Sequence, residues 1–162
     1  MNENAEKFES TVQVPALLME NRHPILKLNR HDFVWITRDQ GCETALPFQV
    51  QSSWEDQQSE WVETDRGLIR ISQIQASQPS EQWLSLLANQ WLINAVLTQR
   101  NQVDHPSQIL MIARELRILT GYQLSIIRWY LLQHREVQAV WFENRENQLL
   151  LGIEFCFLKK SK

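Results

Sequence analysis

The sequence predicts an α+β fold, a small antiparallel β-rich region followed by a helical region that closes with a hairpin. Three observations predict it. Short apolar runs separated by turn formers fill residues 11–76, the apolar spacing then changes to threes and fours, and the last apolar segments return to strand-type patterns. At 162 residues, 43% hydrophobic and 22% charged, the chain can build one substantial core or two smaller ones.

Residues 1–10 are polar and read as a frayed tail. Thr11 to Met19, Ile25 to Leu28, Phe33 to Thr37 and Leu46 to Gln51 then read as short strands, separated by Asn21, Pro24, Asp39-Gln40-Gly41 and Pro47. Glu60 to Thr64 and Leu68 to Ser72 predict a hairpin across Asp65-Arg66-Gly67, where Gly67 supplies the left-handed conformation the loop needs. Ser52 to Ser59, polar apart from Trp54, reads as an exposed loop, and Gln73 to Ser80 as a linker between the β-rich region 11–76 and a domain spanning 79–162.

Beyond the linker, Ser80 can cap a helix on which Leu84, Leu87, Ala88, Trp91 and Ala95 recur at helical spacing. Trp83, Leu86, Leu92 and Val96 widen that stripe, so the helix is expected to be covered on two sides. A second helix is expected after Pro106, with Ile109, Ile112, Ala113 and Leu116 on its inner face, and a third from Tyr122 to Gln133. Val137 to Phe142 and Gln148 to Phe157 read as strands joined by a tip at Glu143 to Asn147.

The stretch Ile112–Leu131 resembles the helix-turn-helix of bacterial regulators, with Ala113 where the helices approach and Leu116, Ile118, Leu124 and Ile127 facing inward. The hairpin that follows makes the winged-helix family the specific resemblance, over roughly residues 81–157. It implies a three-helix winged-helix-like region that regulates transcription by binding DNA, with Gln123, Ser125 and Arg128 offered to a groove and Arg114, Arg117 and the wing residue Arg145 beside it. The alternative is a protein–protein adaptor using Ile126, Trp129 and Leu132 of the same helix. A homodimer fits either reading, because such regulators are symmetric.

Charge weighs on the choice of partner. Residues 1–78 carry 7 Lys/Arg against 12 Asp/Glu, hence −5, and residues 79–162 carry 9 against 7, hence +2, which together give the net −3. The basic tail Lys159, Lys160 and Lys162 adds to the C-terminal side, yet no strongly basic stripe marks a nucleic-acid surface. No apolar run is long enough to cross a bilayer and Met1 is followed by polar residues, so a cytoplasmic protein without a membrane partner is expected. Cys42 and Cys156 are then expected as reduced thiols. No catalytic, metal or cofactor site is expected. His31-Asp32 are neighbours rather than a pair, His23 and His31 lack ligand spacing, Cys42 has no activating group nearby, and Glu55-Asp56, Glu60 and Glu63 read as solvated carboxylates.

Overall fold

A computed structural model of the chain describes residues 27–36, 45–56 and 58–156. The expected tail 1–10, the strand Thr11 to Met19, His23, Cys42 and the basic tail lie outside the described residues. The chain divides into two compact units: residues up to Glu81 together with Thr120–Ile126, and Gln82–Leu119 together with Ile127 onward.

The first unit is built from short antiparallel strands: β1 (Lys27–Leu28), β2 (Phe33–Trp35), β3 (Phe48–Gln49), β4 (Trp54–Glu55), β5 (Trp61–Thr64), β6 (Gly67–Arg70) and β7 (Ala76–Gln78). β2 lies between β3 and β7, β1 pairs with β4, and β5 with β6. The bridge Val50–Thr64 joins β3 to β5, and the bonds Gln51 N to Glu63 O (2.8 Å) and Asp65 N to Gln49 O (2.9 Å) extend it. Leu28, Val34, Val50, Trp54, Val62, Ile69 and Ile74 form the core. The β5–β6 loop is two residues, Asp65-Arg66, with Thr64 opposite Gly67 at φ 114°. Gln73 to Ser80 is not a linker, because burial of Ile74 and Ala76 draws it in and it supplies β7.

The second unit opens with α1 (Gln82–Arg100), which buries Leu84, Leu87, Ala88, Trp91 and Ala95 as the spacing predicts. β8 (Gln108–Ile112), β9 (Val137–Arg145) and β10 (Gln148–Phe155) form an antiparallel sheet in the order β8-β10-β9, so β8 is an edge strand. Ile109, Val140, Leu151 and Ile153 fill its inner face. The β9–β10 tip is shorter than expected. Arg145 pairs with Gln148, and Glu146 and Asn147 turn the chain with φ of 50° and 68°, the mirror-image turn that suits strand twist.

The three-helix winged-helix-like region is not present. Among the described residues there are two α-helices, α1 and α2 (Gly121–Leu132), and the expected second helix is strand β8 followed by a 3-10 turn, Arg114–Ile118. The cause is an ambiguous run. Ile109 to Ala113 fits helical spacing, but it also alternates, and antiparallel pairing with β10 selects the alternation: Ile109 and Ala113 are buried while Leu110 and Ile112 face out. The winged-helix resemblance fails with that helix.

α2 begins where the sequence places it, and Thr120 and Gln123 form its capping box. Gln123 N donates to Thr120 Oγ1 (3.1 Å) and Thr120 N donates to Gln123 Oε1 (3.0 Å). Residues through Ile126 belong to the first unit, where Tyr122 stacks on Trp35 at 4.6 Å between centroids and 56° between planes.

Candidate interaction surface

Of the residues expected to read DNA, Gln123 and Ser125 belong to the first unit and Arg114, Arg117, Arg128 and Arg145 to the second. Ser125 is fully buried, donating to Ala45 O (2.6 Å) and accepting from Trp35 Nε1 (3.1 Å). Gln123 is engaged in the capping box, so neither reaches a groove. Arg128 donates through Nε to Val140 O (2.8 Å), and burial lowers its guanidinium pKa. Arg145 pairs with Glu143 at 2.6 Å. Arg114 and Arg117 stand on the 3-10 turn.

The expected protein interface is also interior. Ile126 and Trp129 are buried and Leu132 is half-buried, so these side chains do not form an exposed recognition face. Asp32 accepts from Asn29 N (2.9 Å) in a tight turn, and His31, at φ 83°, donates its backbone N–H to Val50 O (2.7 Å). Burial raises the Asp32 carboxyl pKa, against backbone hydrogen bonds from Asn29 and Ser80. Cys156 is a free thiol bonded to Arg135 O at 3.5 Å. Among the described residues no cluster of His, Cys, Asp and Glu is arranged to hold a metal.

The surface that stands out lies on α1, opposite its buried stripe. Trp83, Leu86, Ile93 and Leu97 are 43, 57, 57 and 51% exposed, and of the helix's 19 residues only Arg100 is charged. A helix with one solvated face ordinarily carries charge there. This one carries apolar side chains and amides, Gln82, Asn89, Gln90 and Asn94. Trp83 and Leu86, expected in a widened buried stripe on a helix covered on two sides, are exposed, and the described residues cover one side. The missed signal was the spacing of the outward residues together with the lack of charge. No helix among the described residues is long and apolar enough to cross a membrane; the amides keep α1 below that threshold.

A second apolar area lies on the outer face of the sheet, within the same unit. Leu110 and Ile112 of β8 are exposed there, Gly152 stands opposite both Leu110 and Trp141, and Trp141 Nε1 donates to Glu143 Oε1 (2.9 Å). In the first unit, an open cleft of about 660 Å³ is bordered by Ser52, Trp54, Gln58, Trp61, Glu63 and Leu68. Ser52 Oγ donates to Glu63 there (2.9 Å), and the Arg70 guanidinium lies 4.9 Å from the centre of the Trp61 ring. Compared with known proteins, the chain matches no family model, no curated protein and no solved structure.

Proposed function

We propose that this chain is a protein–protein interaction module that presents the solvent side of α1 to its partner. The observation that carries this reading is the in-register exposure of Leu86, Ile93 and Leu97 on a helix whose outward face bears no charge before Arg100. Single exposed apolar residues are ordinary, but a contiguous row marks a contact surface. Covering the exposed half of such side chains contributes about half of the roughly 1.5–3 kcal/mol of full burial, against an association cost of at least about 4 kcal/mol, so the row sustains a weak contact. The exposed Leu110 and Ile112 of the same unit offer additional area.

The nucleic-acid reading has less support. Affinity for DNA rests on unpaired cations tracking phosphates, and here Arg145 is held by Glu143 while Arg128 is turned inward to Val140. A photo-reactive amino acid placed at Ile93 of the full chain, expressed in its native cells, tests the proposal. Adducts are expected at 93 well above those from the exposed control position Asp104; equal yields would overturn it.

A further inference from the structure

Resting on that reading, we infer that the partner of α1 is a second copy of this chain, the two helices packed antiparallel about a two-fold axis between residues 91 and 92. The outward residues Trp83, Leu86, Gln90, Ile93, Leu97 and Arg100 follow one another at spacings of three, four, three, four and three. That is the seam of a two-helix coiled coil, and it lies on the face opposite the core. The core stripe, Leu84, Leu87, Ala88, Trp91 and Ala95, occupies the other side of the helix. One helix therefore carries two packing faces, and the described residues cover only one of them.

The spacing reads the same from either end, and this selects the occupant. In antiparallel register Leu86 meets Leu97 of the second copy, Gln90 meets Ile93, and Trp83 meets Arg100. A guanidinium over an indole is attractive, whereas a parallel pair would set Arg100 against Arg100. An isologous contact must be complementary to itself. Charge on this face would repel its own copy, but apolar side chains do not, and the flanking amides Gln82, Asn89 and Asn94 both donate and accept, so each can bond its own kind.

Size sets the strength. Nineteen residues make a helix of about 28 Å, and a single seam of that length buries less than the roughly 1,200 Å² of stable complexes. The dimer is therefore concentration-dependent and dissociates on dilution. Gln90, the one amide within the seam, meets Ile93 of the second copy and weakens the contact further.

Sedimentation of the full chain, followed from low to high micromolar concentration, tests this. The mass is expected to rise toward twice that of the chain. Ile93→Asp should abolish the rise with an unchanged circular dichroism spectrum, and Gln90→Leu should lower the dissociation constant about tenfold or more. A mass that stays monomeric even for Gln90→Leu, or a dimer indifferent to Ile93→Asp, overturns the inference. Orientation is read by mixing Leu86→Cys chains with Leu97→Cys chains, each with Cys42 and Cys156 replaced by Ser. Heterodisulfides are expected, and homodisulfides alone would refute antiparallel pairing. A monomeric chain that still forms adducts with other proteins from position 93 would end self-pairing and leave the interaction-module reading standing.

Discussion

The indole of Trp141 lies across Gly152 on the neighbouring strand, so close that a Cβ at residue 152 would fall 2.7 Å from Trp141 Cδ2 and nearer still to the benzo ring. Glycine is required here by approach rather than by backbone conformation. Gly152→Ala is expected to displace the indole and cost about 1–3 kcal/mol. Urea unfolding checks this, and in a Trp141→Ala background the same substitution should cost far less.

The inward arginine gives a second expectation. Arg128→Ala removes the donor to Val140 O and leaves that strand carbonyl without its charged partner. A loss of about 1.5–3 kcal/mol in stability follows, the usual range for a hydrogen bond from a charged group. Binding of the wild-type chain to duplex DNA at low salt, measured beside the variant, should be weak, with a shallow slope of log affinity against log salt.

The hairpin tip can be improved. Glu146 occupies a positive φ that its side chain disfavours, and Asn147 another that glycine tolerates better. The pair Glu146→Asn and Asn147→Gly is expected to raise thermal stability by about 0.5–1 kcal/mol, read from the melting midpoint; an unchanged or lowered midpoint would contradict the turn assignment.

Two carboxylates give opposite pH responses. Hydrogen bonds from Trp141 and Arg145 hold Glu143 below its ordinary pKa, so its contribution is present above the unfolded value and is lost as pH falls through the folded one. Burial raises Asp32, so folding retains its proton more tightly than the unfolded chain does, and stability declines as pH rises through the folded pKa. Asp32→Asn should therefore gain in stability relative to wild type as unfolding is followed from about pH 3 to pH 7. Glu143→Gln should show the reverse trend.

Much of the architecture is legible where a local signal and its tertiary setting agree. The buried stripe of α1, the start of α2 and the closing hairpin all follow from spacing and turn chemistry, whereas the Thr120–Gln123 capping box comes from the structure. β8 and β7 were not legible, because Ile109 to Ala113 satisfies two periods at once and Ala76–Gln78 has little apolar content of its own; each is decided by a strand far away in sequence. The helix-turn-helix pattern, with Leu124 and Ile127 inward, offers Ser125 to a groove, but in the tertiary fold its hydroxyl serves Trp35 and Ala45. The outward seam of α1 is present in the spacing of Leu86, Gln90, Ile93 and Leu97, yet periodicity that picks out the core stripe cannot say whether a second stripe is covered as well.

The position of β8 at the rim of its sheet has a consequence for handling the protein. Its five residues carry no charge and no proline, the features by which natural rims discourage recruitment of further chains. Warming that loosens this rim would template intermolecular cross-β growth, so insolubility should set in before cooperative melting is complete. A lysine at Ile112, a position that already faces solvent, is the gatekeeper that would delay it.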